Sequence, residues 1–336
     1  MAREIGEAPA VVARQERGLE APLSALLSLL RRQPPQVIVT CARGSSAHAA
    51  TLGKHMLERY VGLPVAAAAP SIASVYRGRL QLGGQLVLAI SQSGRSDDLV
   101  AFAESAKKSG ALTVAVTNDA NAPLAAMCDF VLPIGAGSEM SVAATKTFVA
   151  TVSALLRLTA SWSGNAHMSG AVSRLPQRLL DATKLDWEGV INTLAMSSSL
   201  VTIGRGPTLA IAREAALKLK ETCGLHAEAF SGAEFRHGPA ALASARNPAL
   251  MFMPGDEAAA GMEQLAADLK QNGTPVLIAG REQDAEARLP TLAADQPETD
   301  ALCLIQSFYA MVIRLAELLG KDVDRPRNLD KITRTT

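Results

Sequence analysis

Five short stretches, Val37–Cys41, Val65–Ala68, Leu86–Ile90, Leu112–Thr117 and Phe130–Pro133, are apolar at successive positions rather than at alternate ones. A strand that is apolar on both faces must be covered on both, which is the condition of a parallel sheet flanked by helices. Segments with helical character separate most of them, near Ala47–Tyr60, Asp97–Ser109 and Leu124–Met127. The alternation predicts a doubly wound α/β unit. A longer helix, about Ser141 to Ser161, is expected to close it. Ahead of the first strand, residues 1–34 predict one helix with a stripe of Leu19, Leu23, Leu26, Leu27 and Leu30 that ends at Pro34-Pro35.

The second half of the chain repeats this order. Leu200-Val-Thr-Ile-Gly-Arg-Gly206 parallels Val37-Ile-Val-Thr-Cys-Ala-Arg-Gly44, each a strand feeding a Gly turn and a helix. Ala249–Met253 takes the place of Leu86–Ile90, and Pro275–Ala279 that of Leu112–Thr117. The expected helix from about Ala301 to Leu319 matches the one from Ser141 to Ser161. Two tandem domains also suit 336 residues, which is long for one core. The boundaries read as an N-terminal helical segment 1–34, a first domain 35–165, a helical connector 166–192, a second domain 193–320 and a tail 321–336. That tail, Gly320-Lys-Asp-Val-Asp-Arg-Pro-Arg-Asn-Leu-Asp-Lys331, is too polar and Pro-broken for a core. It suits either a frayed end or a flap folded over a site.

Ligands of open α/β sheets bind at the carboxyl ends of strands, at a topological switch point. Two loops lie at such ends: the turn Ala42–Ser46, and Ser91-Gln-Ser-Gly-Arg-Ser96. The second runs from a strand into a helix that starts near Asp97, with Leu99, Val100, Phe102 and Ala103 on its apolar side. Unpaired N–H groups and the helix dipole favour an anion there, the hydroxyls add donors, and Gly94 permits the positive φ of a curled loop. The same residues also fit an ordinary connection with a Ser N-cap.

The helix beginning near Thr208 carries Glu214, Lys218 and Glu221 at spacings that share one face. An exposed helix laced with ion pairs fits this, but the flanking Ala, Leu and Ile predict a covered one. Covered charges must be paired or used, and a Glu beside a Lys in a partly dry pocket can move protons. Further on, His237 precedes Gly238-Pro239 at a turn, whereas His48, His55 and His167 read as structural. His226 and His237 do not have metal-ligand spacing. No G-x-S-x-G elbow, P-loop or G-x-G-x-x-G motif occurs.

Composition narrows the partners. A net charge of +1 without any basic run gives no case for nucleic acid or an anionic membrane. The N-terminus lacks the apolar stretch of a signal peptide and no uninterrupted apolar run reaches spanning length. Cys41, Cys128, Cys223 and Cys303 are scattered and read as small buried apolar residues in a reducing compartment. The expectation is a cytoplasmic protein.

Taken together, Gly44-Ser-Ser46, Ser91-Gln-Ser-Gly94, Thr145-Lys-Thr-Phe148, Glu214–Glu221, His237-Gly-Pro239 and Asp324–Lys331 resemble the sugar isomerase (SIS) family. More closely they resemble the isomerase half of glucosamine-6-phosphate synthase, in order from about residue 20 to the C-terminus. The resemblance implies two SIS domains that bind a hexose 6-phosphate, with the C-terminal tail closing over the site. Gly44, Ser45, Ser46, Ser91, Gln92, Ser93, Ser96, Val142 and Ala143 then match sugar-phosphate positions. Glu221 matches the base that moves a proton between C1 and C2, and Lys218 a supporting residue. His237 matches a ring-opening histidine donated across a homodimer interface, and Lys331 a tail lysine at the open-chain carbonyl. Neither a metal nor an organic cofactor is implied.

Two departures matter. The synthase's glutaminase domain has no counterpart in this sequence, and Ala144 stands where a serine is common before Thr145-Lys146. The variants Cys41-Ala-Arg-Gly-Ser-Ser46 and Ser91–Ser96 are closer to the SIS-type glucosamine-6-phosphate deaminases, which convert aminosugar phosphate and water to fructose 6-phosphate and ammonia. Two alternatives accompany this expectation. One is action on another phosphosugar, such as galactosamine 6-phosphate or fructosamine 6-phosphate. The other is a non-catalytic module that senses a phosphosugar.

Overall fold

The computed structural model describes residues 1–280 and 288–331. They divide into two compact units. One comprises residues 10–139 and 146–173 with Asp330 and Lys331, and the other residues 1–9, 140–145 and 174–329 outside 281–287.

In the first unit, β1 (Ile38–Ala42), β2 (Val65–Ala67), β3 (Leu86–Ser91), β4 (Leu112–Thr117) and β5 (Phe130–Pro133) form a sheet of order β2-β1-β3-β4-β5, parallel throughout. The register pairs Ala42 with Ile90, so the chain leaves β1 and β3 side by side. Here the order reverses, since β1 crosses over to β2 on one side and β3 to β4 on the other. All six side chains of β3 are buried, as the continuous apolar run requires. One face carries Val39, Cys41 and Val87 against Leu99, Phe102 and Ala106 of the helix Asp97–Lys108. In the helical layer, Gly53 of the helix Gly44–Met56 lies so close to Leu155 that a Cβ there would stand 2.9 Å from its Cδ1.

The second unit has the same winding. Its strands β6 (Ser199–Gly204), β7 (His226–Ser231), β8 (Ala249–Phe252), β9 (Val276–Ala279) and β10 (Arg288–Leu289) run parallel in the order β10-β9-β8-β6-β7. Read from the other edge this is the first sheet's order, strand for strand. Val201, Ile203, Met251 and Ile278 pack against Met262, Leu265 and Leu269 of the helix Ala259–Gln271. The helix Pro297–Leu318 is long and apolar enough to span a bilayer, but most of it is buried within this unit, with Phe308 edge-on to Phe252.

Several boundaries differ from expectation. The helix after β1 starts at Gly44, not near Ala47, so Ser45 and Ser46 occupy its first turn rather than a loop. The helix expected from Ser141 starts at Lys146 and runs to Ser163, because the buried Glu139 carboxylate accepts the Thr147 N–H (3.1 Å) and hydroxyl (2.6 Å) at its first turn. The helix expected from Ala301 starts four residues earlier, with Pro297 at its first turn and Glu298 and Asp300 favoured by the dipole. Strand β7 is an addition to the expected set. His226 and Glu228 are exposed around buried Ala227, and a half-polar edge strand lacks the continuous apolar run that marks the others.

Gly204 ends β6 where the chain turns into the helix Thr208–Lys218, and a Cβ on it would lie 2.2 Å from the Thr208 carbonyl oxygen. No side-chain movement can relieve a clash with backbone. Gly204→Ala should therefore cost roughly 3 kcal/mol, read as a lowered midpoint in chemical denaturation with an unchanged m-value.

Candidate functional site

The loops at the reversal point of the first sheet are fixed by hydrogen bonds of their own. Gly94 adopts φ +62, and a Cβ there would meet the Ala122 Cβ at 2.6 Å, so both backbone angle and space call for glycine. The Ser91 hydroxyl accepts the Gly94 N–H at 3.2 Å, and that of Ser93 accepts the Arg95 N–H at 3.3 Å. The Gln92 carbonyl takes the Asn118 N–H (3.2 Å), and the Gly94 carbonyl the Leu124 N–H (3.1 Å). Each serine hydroxyl thus accepts within the loop and keeps its own proton to donate. Ser96 stands at the N-cap position of Asp97–Lys108, as an ordinary connection would have it, but its side chain makes no capping bond.

Arg43 precedes the Gly44 turn, where φ is +51. Its Nε (3.0 Å) and Nη2 (2.7 Å) both donate to the buried Asp98 carboxylate, which ties the start of one helix to the start of the other. Arg95 likewise pairs with Asp119 at 3.1 Å. Gly44, Ser45 and Ser46 therefore lie beside Ser91, Gln92, Ser93 and Ser96, as the register of β1 and β3 demands. The same unit holds Lys331, whose ammonium donates to Glu139 at 3.3 Å. Glu139 is an addition to the expected residues. Its sequence neighbourhood gives it no periodicity or motif, and only the fold shows it receiving the tail lysine.

The second unit holds the charged helix. Thr208–Lys218 passes into a single π-helical turn, Leu219–Cys223, that ends at Gly224 with φ +67. Glu214 and Lys218 are both 0% exposed, whereas Glu221 retains 20%. The Lys218 ammonium donates to Glu221 and lies 3.4 Å from Glu214, whose Oε1 also accepts the Tyr309 hydroxyl at 3.2 Å. The covered helix agrees with the expectation from its flanking apolar residues, and burial excludes the exposed, ion-pair-laced alternative. Burial drives the Lys218 ammonium toward losing its proton, but the charges of Glu214 and Glu221 outweigh it and hold the group above the ordinary lysine range.

Elsewhere in this unit Val142 N–H donates to the Asp324 carbonyl (3.3 Å) and the Ser141 hydroxyl to that of Val323 (3.3 Å), so the tail runs along the segment containing Val142 and Ala143. His237 comes directly after the short helix Gly232–Arg236 and is exposed, with its N–H on the Glu234 carbonyl at 3.0 Å. The four cysteines are free and buried, and burial pushes the thiols of Cys41 and Cys128 up to about 12 and about 11. They have the unreactive character expected of core residues.

Known proteins are similar to this chain in sequence and fold. The SIS domain family model matches residues 32–161 and 193–319. The chain is 31% identical to an isomerizing glutamine–fructose-6-phosphate aminotransferase of Bradyrhizobium diazoefficiens over 98% of its own length, and spans 58% of that relative. Among solved structures, one from Silicibacter pomeroyi, described as a candidate phosphosugar isomerase, superposes with a TM-score of 0.91 at 42% identity, covering 96% of this chain and 98% of that one. A glucosamine-6-phosphate deaminase from Thermotoga maritima has the same fold, with a TM-score of 0.74 at 21% identity over 98% of this chain and 100% of that one.

Lys218 neutralises two carboxylates. Removing it by Lys218→Met leaves Glu214 an uncompensated carboxylate in a dry site, with Glu221 beside it, and should cost about 3–5 kcal/mol near neutral pH. Its folded pKa is raised, so the wild-type contribution is complete below the unfolded lysine value and fades only as pH rises through the folded one. The variant's deficit should accordingly shrink at alkaline pH as the wild type loses this contribution. It should also shrink at acid pH, where the orphaned carboxylates take up protons. Denaturation midpoints measured across pH check both limbs.

Proposed function

This chain belongs to the SIS domain family, and from that premise we propose that it is a glucosamine-6-phosphate deaminase, releasing fructose 6-phosphate and ammonia from aminosugar phosphate and water. The observation that carries the reading is the Lys218–Glu221 pair, in which a carboxylate with one accessible edge is backed by a wholly buried cation. Such a carboxylate can take a proton from carbon and return it, while its partner stays fixed. The variant loops Cys41–Ser46 and Ser91–Ser96, which resemble those of SIS-type deaminases, support the direction.

In this reading the hydroxyls and N–H groups of Ser45, Ser46, Ser91, Gln92, Ser93 and Ser96 hold the 6-phosphate, with Gly44 giving the turn its shape. Val142 and Ala143 line the sugar. The partner's His237 opens the ring in a homodimer. Glu221 then removes the C2 proton from the open-chain 2-amino aldose, and the electron pair forms an enolamine. Reprotonation at C1 gives the C2 imine. Water adds to that imine and ammonia leaves, giving fructose 6-phosphate. Lys218 supports the charge on Glu221, and Lys331 serves the carbonyl end of the open chain. Neither a metal nor an organic cofactor enters these steps. A cytoplasmic setting fits four buried free thiols.

The purified protein should convert glucosamine 6-phosphate to fructose 6-phosphate and ammonia in equal amounts, and act very poorly on glucosamine. Glu221→Gln should nearly abolish turnover with little change in substrate binding. Ser93→Ala should raise KM roughly 10- to 100-fold, the loss of one hydrogen bond to a charged group. Equal activity on glucosamine and its phosphate contradicts the phosphate role. Ketose–aldose interconversion without ammonia, measured on a panel of hexose 6-phosphates, would make the protein an isomerase instead.

The shared site has its own check. Mixing inactive His237→Ala with inactive Glu221→Gln under conditions of subunit exchange should restore part of the activity through hybrid dimers. Exchange without recovery means that each chain uses its own His237.

A further inference from the structure

Resting on the reading of Glu221 as the base, we propose that Glu214 is a positioning residue for the reaction, anchored by Tyr309, whose carboxylate keeps Lys218 an ammonium held against Glu221. Glu214 is 0% exposed and so reaches no substrate, yet it is ionisable and shares one oxygen between the Tyr309 hydroxyl at 3.2 Å and the Lys218 ammonium at 3.4 Å. A charged carboxylate in such a place is expensive unless something depends on it. The dependent group is Lys218, equally buried, whose burial favours loss of its proton.

The surroundings leave that task to few groups. The charges that bear on Lys218 are those of Glu214 and Glu221. Strands β6 and β8 bring no ionisable side chain, and β7 brings His226 and Glu228, both exposed. The helix Pro297–Leu318 contributes Tyr309, while its Asp300 and Arg314 pair elsewhere, with Arg178 and Glu188, its buried Glu298 accepts the Gln296 amide, and its Glu317 is exposed. At the end of the π turn, the Cys223 thiol sits on the Val312 carbonyl, and Lys321 acts on Cys223. With one carboxylate only, Lys218 would be a buried cation balanced solely by the group that must exchange protons with substrate. Each time Glu221 took up a proton, the lysine would stand uncompensated. Glu214 supplies the second charge, so the ammonium survives the half-reaction in which Glu221 is protonated. Tyr309, a hydrogen-bond donor 95 residues away in sequence, prevents Glu214 from turning off this axis.

The experiment tracks Lys218 itself. In protein labelled at lysine Cε, the Lys218 resonance is identified by its loss in Lys218→Arg and titrated in the wild type and in Glu214→Gln, an isosteric change. The expected result is a titration midpoint lower by one pH unit or more, about the effect of removing one adjacent charge in a poorly solvated site. The alkaline limb of kcat for glucosamine 6-phosphate should move down with it, and Glu214→Asp should recover part of the shift. Tyr309→Phe, which keeps the charge but removes the hydroxyl bond to Glu214, should give a smaller shift of the same sign, and serves if Glu214→Gln does not fold. An unchanged midpoint in both variants overturns the proposal, since a merely structural role lowers the melting temperature without moving a lysine titration. If the wild type turns over no aminosugar phosphate, the proposed function fails, and the midpoint still decides what Glu214 does to Lys218.

Discussion

A wholly buried lysine between two carboxylates governs the second half of this protein. Lys218 cannot be solvated, so its neighbours are constrained around it. Glu214 is held by Tyr309, the backbone carbonyl of Lys218 takes the Thr222 hydroxyl at 2.7 Å, and the helix then widens into a π turn. That turn inserts an extra residue per hydrogen-bonded ring and so rotates the downstream residues relative to a continuous α-helix. The rotation places Glu221 at the edge of the buried triad, where it touches both the ammonium and the solvent.

The first half carries the same π turn without the buried triad. Its helix Gly44–Met56 also passes into a π turn, Leu57–Val61, and stops at a left-handed glycine, Gly62 at φ +78. Aligned on the two glycines, Leu57-Glu-Arg-Tyr-Val61 lies over Leu219-Lys-Glu-Thr-Cys223, and Arg59 takes the place of Glu221. The loops after β3 and β8 differ in the opposite sense. Ser91-Gln-Ser-Gly94 offers hydroxyls, whereas Met253-Pro-Gly255 offers none. In the proposed function, two copies of one winding divide the work. The common architecture supplies strand ends and helix starts, and a few side chains decide which copy offers donors to an anion and which offers a base.

The same division determines which features are legible in the sequence. Strands buried on both faces announce themselves, because burial imposes a continuous apolar run, and the order of elements is evident from their repetition. The serine loop and the i, i+4, i+7 acids and lysine are local patterns, legible for the same reason. Strand β7 escapes because an edge strand with exposed His226 and Glu228 has no such run, and its polar residues look like candidates for chemistry. The helix start at Lys146 is hidden because its determinant is the side chain of Glu139, eight residues before Thr147. Tyr309 on Glu214 and Lys331 on Glu139 are contacts between residues 95 and 192 apart. No period or motif links such pairs, so only folding reveals them.

Affinity for an anion at the serine loops would come from direction more than from charge. Arg43 and Arg95 give these loops a basic look in sequence, but both guanidiniums are already matched by Asp98 and Asp119. Asp97 adds a further negative charge in the first turn of the helix. The local balance of formal charge is thus not positive, and a phosphate would gain little from bulk attraction. The loop carbonyls of Gln92 and Gly94 are tied back to the body of the unit, the N–H groups of Gly94 and Arg95 are held by the hydroxyls of Ser91 and Ser93, and those hydroxyls keep protons to donate. Because these groups are fixed before an anion arrives, they need no ordering when it binds. Fixed dipoles also lose less than surface ion pairs to screening by salt. As a phosphate cradle, such loops would select a compact tetrahedral group by the places of its oxygens, which a cluster of mobile lysines would not do.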